Sequence, residues 1–325
     1  MIIDCHNHLG VDLQMYLRGQ FPYAQHLLDL NREGRALGIE KWIVFPMPAY
    51  LALDLTQLRQ GKIALSDTLE TVPFAWDNRR MLQEITELFP EEGASTIPFV
   101  MFDPYRKQPA QVAALRQLRS EYSFHGLKTQ TTMIRSPIKS LLEEGRVFLE
   151  LAEEWDLPVL IHSSVLPSDI WAQASDIIDI AEQTPNVRFC LAHSCRFDRV
   201  QLDRVAALSN AWFDCSAHGI LCELAAQNHP VAAPQERRFQ SDYARPDQVL
   251  RDLAEEYSDK LLWGSDTPFQ SFVAKDGNES YHLLSSYAQE AEYLHRLPDE
   301  LKQRVSFTNT LNFLGQSFVD INEVL

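Results

Sequence analysis

Residues 1–10 read MIIDCHNHLG. An acid and two histidines stand at alternating positions, Asp4, His6 and His8. In an extended strand, residues two apart share a face and lie roughly 6–7 Å apart. On a regular strand Asp4, His6 and His8 would therefore point one way, into a core or pocket, and Cys5 the other. Two imidazoles on one face can grip one metal ion. Ten residues alone allow an equally plain reading, a polar strand edge with chance histidines, and the rest of the chain decides between them.

Seven further apolar runs follow, rich in β-branched and aromatic residues: KWIVFPM (41–47), TIPFVMFD (96–103), FHGLKTQ (124–130), PVLIHSS (158–164), VRFCLAH (187–193), AWFDCSA (211–217) and KLLWGSD (260–266). Near-continuous apolar runs suit parallel strands covered on both faces. Amphipathic segments of helical spacing alternate with them, clearest at 78–89, 110–122, 140–155, 175–184 and 246–258. Eight strands alternating with helices predict an α/β chain, and eight such units in 325 residues predict a (β/α)8 TIM barrel as a single domain over 1–325. An open doubly wound sheet is the alternative, weakened because no G-x-G-x-x-G follows the first run. The long connections 9–40, 48–77 and 218–245 each follow a strand, so in a barrel they start at the C-terminal face, where barrel enzymes keep their sites.

Composition narrows the function classes. There are 45 acids against 29 bases, a net charge of -16, so a polyanion such as nucleic acid is repelled overall. No apolar run reaches the roughly 18–20 residues that span a bilayer. With candidate ligands from residue 4 onward, no leader segment is expected either. The five cysteines (Cys5, Cys190, Cys195, Cys215 and Cys222) are odd in number and lack C-x-x-C spacing. They read as reduced thiols in a cytoplasmic protein.

Ionisable residues gather at the ends of the runs. His6 and His8 end the first, Lys128 lies in the fourth, His162 and His193 end the fifth and sixth, and Asp266 ends the eighth. In a closed barrel these ends converge on one mouth. Imidazoles and a carboxylate converging there make a metal site of N/O type. Any one of these histidines alone would read as a hydrogen-bonded core residue; the joint pattern does not.

Taken together, D-C-H-N-H (4–8), G-L-K (126–128), L-I-H (160–162), L-A-H (191–193) and W-G-S-D-T-P (263–268) resemble the amidohydrolase superfamily, specifically the amidohydrolase-related branch that includes aminocarboxymuconate-semialdehyde decarboxylase. The resemblance runs from residue 1 to about 315, where T-N-T-L-N-F-L-G is similar to the family's last helix. It implies that His6, His8, His162 and Asp266 ligate one divalent transition metal, zinc before manganese or iron. It implies that Asp266 moves protons and that His193 polarises substrate or water, or ligates a second metal. Lys128 stands where some relatives carry a carboxylated, metal-bridging lysine, and otherwise lines the pocket. The pattern departs after Lys128 (Thr129-Gln130-Thr131) and after His193 (Ser194-Cys195-Arg196), which spares the ligands and leaves the substrate open.

The implied activity is hydrolysis of an amide, lactone or ester of a small organic acid by a metal-activated water. A non-oxidative decarboxylase or hydratase of a small carboxylated substrate could use the same site. Basic residues should then stand at the mouth. Arg18, Arg135 and Arg196 are the candidates, and Arg196, three residues past His193, is the first choice as a substrate-binding residue beside Lys128 and His193. The plainer reading of Arg196 is an exposed side chain paired with Asp198. His218 is a further candidate for the pocket wall, and Cys195 a weaker one. His125 falls at the wrong end of a strand, and His26, His229, His282 and His295 read as surface. Trp263 reads as core, and Gly264 as a point of close backbone approach. The partner is a small molecule, and the resemblance admits a homodimer without marking its interface. A non-catalytic barrel that binds a small molecule is the reading from a different class, and it gives no reason for a full ligand set at strand ends.

Overall fold

The computed structural model of the protein describes residues 1–50, 60, 72–276 and 279–315. Eight parallel strands follow one another: β1 (Ile3–Val11), β2 (Lys41–Pro46), β3 (Thr96–Met101), β4 (Gly126–Thr129), β5 (Val159–Ile161), β6 (Phe189–Leu191), β7 (Ala211–Asp214) and β8 (Leu261–Leu262). Each pairs in parallel with the next in chain order, as right-handed β–α–β winding requires. Backbone bonds then join β8 and the residues after it to β1: Cys5 N donates to Trp263 O at 3.1 Å, Asp266 N to His6 O at 3.0 Å and His8 N to Thr267 O at 2.8 Å. The sheet thus closes on itself in an α/β barrel, with a two-residue antiparallel strand, Ala24–Gln25, added outside β1. All eight predicted strands are present; β1 runs on to Val11, and the other seven are shorter than the apolar runs because their ends turn into the loops. The five clearest helical segments are present as well.

Alternation along the strands sorts the core into two layers. Ile43, Phe45, Phe99, Leu160, Cys190 and Leu262 fill the barrel interior, while Trp42, Val44, Val100, Leu127, Phe189 and Phe213 face the helices. Gly126 belongs to the interior set; a Cβ there would meet the Phe99 ring at 2.3 Å, so its absence is what lets Phe99 plug the barrel. Among the described residues no helix is long and apolar enough to cross a membrane. All five cysteines are free and buried.

The register of β1 corrects two expectations. The β1–β2 pairing slips between Asp4 and Asn7, a bulge that sets three steps on β1 against two on β2. Ile3 and Cys5 therefore point into the barrel, Asp4 and Asn7 point toward the helices, and His6 and His8 point inward above the bulge. Cys5 is not outward-facing, and Asp4 does not share the histidines' face. The Asp4 carboxylate instead accepts from Ser265 N at 2.9 Å and Ser265 Oγ at 2.6 Å, tying the start of β1 to the segment after β8. Gly264 fits this seam as expected: a Cβ would lie 2.8 Å from His6 Cβ and 3.1 Å from Cys5 Sγ.

Two elements after the strands build the upper wall. The connection after β7 carries a helix, His218–Ala226, that is apolar almost all round. The segment after β8 forms an antiparallel hairpin, Phe272–Asp276 with Glu279–Leu283, which the sequence reading did not identify. Most of the 48–77 connection lies outside the described residues.

Glu290, in helix Tyr287–His295, holds the His218–Ala226 helix in place. Its Oε1 accepts from Gly219 N at 3.1 Å and Ser285 Oγ at 2.8 Å. Burial pushes its pKa from the ordinary 4.5 up to about 8. A carboxyl whose pKa rises on folding contributes stability that is full below its unfolded pKa and lost as pH rises through the folded value. Wild-type stability should therefore fall, relative to Glu290→Gln, between about pH 5 and pH 8, with a slope of up to roughly 1.4 kcal/mol per pH unit. Urea midpoints of the two proteins measured across this range check it; parallel curves would rule it out.

Candidate active site at the C-terminal mouth of the barrel

The strand ends meet around a cavity of about 460 Å³ at the C-terminal face of the barrel. His6, His8, Lys128, His162, His193, Arg196 and Asp266 all line it. Three of them converge closely. One ligand atom from each of His6, His8 and Asp266 lies within 4.8 Å of the other two, and all three residues are buried. Asp266 Oδ1 is 3.2 Å from His6 Nε2 and 3.6 Å from His8 Nε2.

Both imidazoles are anchored through their other nitrogen. His6 Nδ1 donates to Asp214 Oδ2 at 2.9 Å, and His8 Nδ1 donates to the Pro46 carbonyl at 2.9 Å. Those partners place the ring protons on Nδ1 and turn both Nε2 lone pairs toward Asp266. Burial holds both histidines well below their ordinary pKa, hence neutral. Burial also raises Asp266 well above the carboxylate range, against the opposing pull of Lys128 and Arg196. Two neutral imidazoles with oriented lone pairs and a buried carboxylate are the donor set a divalent transition ion takes. The residues present therefore fit a bound metal.

His162 stands apart from these three. Its Nδ1 lies 2.9 Å from His193 Nε2, and its Nε2 lies 3.3 Å from Arg196 Nη2. His193 Nδ1 in turn meets the Ser216 carbonyl at 3.1 Å and Ser216 Oγ at 2.9 Å. These partners define one chain of donors, from Arg196 to His162 to His193 to Ser216, with both imidazoles neutral. Burial pushes both histidines well below their ordinary pKa, in keeping with that state. Lys128 enters from β4, with Nζ 3.4 Å from His6 Nε2 and 4.8 Å from the centre of the Phe45 ring. Burial lowers its pKa to about 8, with Asp214 and Asp266 pulling the other way.

The turn after β6 delivers His193 and Arg196 together. Five consecutive non-glycine residues, His193 to Phe197, have φ between 46° and 68°, a left-handed turn. For L-residues this conformation costs roughly 1–2 kcal/mol each. It persists because neighbours hold it: Asp214 Oδ1 accepts from His193 N at 3.0 Å, Ala233 N donates to Arg196 O at 2.9 Å, and Phe239 N donates to Phe197 O at 2.8 Å. Residues three apart lie on one side of such a tight turn, so His193 and Arg196 both face the cavity. Arg196 is half-buried, its Nε bound to the Ser163 carbonyl at 3.1 Å. The exposed pairing with Asp198 does not occur, because Asp198 caps helix Arg199–Ala207 and pairs with Arg237.

Several other expectations resolve here. Arg18 lines the rim of the cavity, whereas Arg135 is exposed and away from it. His218 is buried against the Pro246 carbonyl at 2.8 Å and does not reach the cavity. Cys195 is buried in the core behind the turn. Asp214 was missed, although it ends β7 as the chosen residues end their strands. It joins the two halves of the site: Oδ2 holds His6, and Oδ1 holds His193 N, Ser216 N at 2.9 Å and Ser216 Oγ at 2.5 Å. The same test of polar residues at strand ends, applied to AWFD, would have found it.

Known proteins share this architecture. The structure is similar to that of an amidohydrolase from Burkholderia multivorans with bound HEPES, at a TM-score of 0.61 and 14% identity, covering 97% of this chain and 99% of that one. It is similar to a probable 2-pyrone-4,6-dicarboxylic acid hydrolase from Acinetobacter baumannii with citric acid bound, at 0.57 and 14%, covering 97% and 99%. It is also similar to the IDCase of Metarhizium anisopliae, an isoorotate decarboxylase, at 0.54 and 12%, covering 97% of each chain. At such identities the likeness is one of fold. No curated protein sequence gives a significant match. The sequence profile of the amidohydrolase family, in contrast, matches residues 3–315, from the first barrel strand to the last helix, and the chain therefore belongs to the amidohydrolase family.

Proposed function

We propose that this protein is a metal-dependent hydrolase that cleaves an amide, lactone or ester of a small organic acid. The observation that supports this most is the convergence of His6 Nε2, His8 Nε2 and Asp266 Oδ1, with both imidazoles anchored through Nδ1. In this reading His6, His8 and Asp266 hold the ion. His162 would be the fourth donor through Nε2, the nitrogen that now meets Arg196, while Nδ1 keeps its contact with His193. A divalent ion bound there supplies Lewis acidity and a source of hydroxide near neutral pH.

The side chains carry the remaining roles. Asp266 turns Oδ1 to the imidazoles and Oδ2 toward His193 Nδ1, 3.8 Å away. Oδ2 is thus the atom suited to take a proton from the attacking water and pass it to the leaving group. The water oxygen bonds to the acyl carbon, the C–N or C–O bond breaks, and the departing atom takes that proton. Arg196 and Lys128 supply fixed positive charge for a substrate carboxylate or a developing oxyanion. His193 is the neutral imidazole beside the proton-carrying oxygen.

A non-oxidative decarboxylase is the second reading, favoured by the Arg196 guanidinium, which has no carboxylate partner among the described residues and would bind a substrate carboxylate. There the C–C bond to the carboxylate breaks, CO2 leaves and the carbon takes a proton.

Elemental analysis of protein purified without chelators, beside His8→Ala and His162→Ala, tests the proposal. About one equivalent of a transition metal is expected in the wild type, with weakened binding in both variants. Hydrolysis of a panel of amides, lactones and esters should track metal content, and CO2 release would mark the lyase instead. Wild-type affinity in His162→Ala would remove that residue from the ligand set. No metal, even after adding zinc or manganese, would end the metal mechanism.

A further inference from the structure

We infer that the substrate carries a single carboxylate, or the acyl group derived from one, on an apolar body, an arylalkanoic or branched aliphatic acid derivative rather than a polycarboxylate. The inference rests on the proposed reaction for its chemistry, but it is carried by the shape and polarity of the cavity and is testable by binding alone.

The cavity has two unlike halves. Its floor holds the imidazoles, Asp266, Lys128 and Arg196. Its upper wall is apolar, and the fold explains why. In the hairpin, Phe272 pairs with Leu283 and Ala274 with Tyr281, so all four stand on one face, and all four line the cavity. The opposite hairpin face carries Val273, His282, Lys275 and Ser280. Over these four pairs the hairpin turns its apolar residues to the cavity and, Val273 apart, its polar ones away, which is the pattern of a strand pair with one buried face. The helix His218–Ala226 adds Ile220, Leu221 and Leu224 to the same wall.

The cations are distributed just as unevenly. Arg196 is fixed by the Ser163 carbonyl, a contact that does not depend on His162, is half-buried, and has no carboxylate within ion-pair distance among the described residues. A guanidinium held out of water in this way is stabilised by an incoming anion. Lys128 is already placed among the imidazoles and against the Phe45 ring. Arg18 stands exposed at the rim. Among the described residues the floor thus gathers its cations at one place, beside the imidazoles, where they serve a single carboxylate or the oxyanion made from it. A second carboxylate on the same ligand would face the hairpin and helix, where burying it without a counter-charge is unfavourable. Gln20 and Gln130, the neutral amides on the lining, do not supply that charge.

The test compares acetate, phenylacetate, 4-methylpentanoate, succinate and citrate binding to the protein as purified, by calorimetry. Acetate reports the carboxylate position alone. Phenylacetate and 4-methylpentanoate should bind at least about tenfold tighter than acetate and than succinate or citrate. Phe272→Ser should cut the phenylacetate-to-acetate ratio by about tenfold while leaving acetate unchanged. Tyr281→Ser, on the facing strand, should do the same, and equal unfolding midpoints confirm that the hairpin stays folded. Arg196→Gln should weaken all the monocarboxylates together. Succinate or citrate binding as tightly as phenylacetate, a ratio untouched in both wall variants, or no phenylacetate binding at all would overturn the inference. Because binding is read without turnover, a protein that shows this preference but neither metal nor catalysis would defeat the proposed reaction and leave the substrate class standing.

Discussion

An Asp214→Asn variant is expected to fold and to bind a divalent metal about 10–100-fold more weakly than the wild type. The reason is a proton. Asp214 Oδ2 accepts from His6 Nδ1 at 2.9 Å, which keeps the His6 proton on Nδ1 and its lone pair on Nε2, facing Asp266. The other carboxylate oxygen accepts from the backbone N–H groups of His193 and Ser216. An asparagine can keep only one oxygen, and the two N–H donors require it. Its NH2 group is then left facing His6 Nδ1, which must become an acceptor and move its proton to Nε2. The ring stays in place and loses the lone pair that would ligate. Asp214→Ala tests the structural side of the same residue. It strips the acceptor from buried donors on His6, His193 and Ser216 and releases one restraint on the left-handed turn. Each unsatisfied buried donor costs about 1–3 kcal/mol, so a loss of at least about 3 kcal/mol in urea unfolding is expected. Competition with a chromophoric chelator gives the affinities. Wild-type metal affinity in Asp214→Asn would overturn the tautomer argument.

Asp266→Asn should have the largest effect on turnover, a fall in kcat of about 10²–10⁴-fold at saturating metal, with KM changed far less. Asparagine matches aspartate in size and keeps an oxygen for the histidine side of the cluster. It loses the Oδ2 that faces His193 Nδ1 at 3.8 Å and, with it, the capacity to take and return a proton. The split between kcat and KM separates this from a binding defect, and saturating metal separates it from loss of the ion. A kcat within tenfold of the wild type under those conditions would assign the proton transfer to another group.

Most of the barrel was legible because its strands are buried on both faces, so each run is apolar along its whole length. KWIVFPM and VRFCLAH need no partner to be read as strands. The hairpin Phe272–Leu283 was not legible in that way. Its strands are half-covered, and residues such as Lys275, Ser280 and His282 break the apolar run. The faces of Asp4 and Cys5 were misread because strict alternation was assumed across a bulge that only the pairing with β2 reveals. Asp214 was overlooked although it obeyed the same rule that singled out His193 and Asp266.

What the sequence determined by itself is therefore the succession of strands and helices and the identity of the polar residues at the strand ends, since both follow from local pattern. Which of those residues meet depends on the closed barrel. His6, His8 and Asp266 converge, while His162 turns to His193 and Arg196. His193 and Arg196 reach the cavity together because HSCRF winds left-handed without a single glycine. Of those five residues only His193 is of a type enriched at positive φ. The turn is held by Asp214, Ala233 and Phe239, contacts distant in sequence whose combined bonding outweighs the local steric cost.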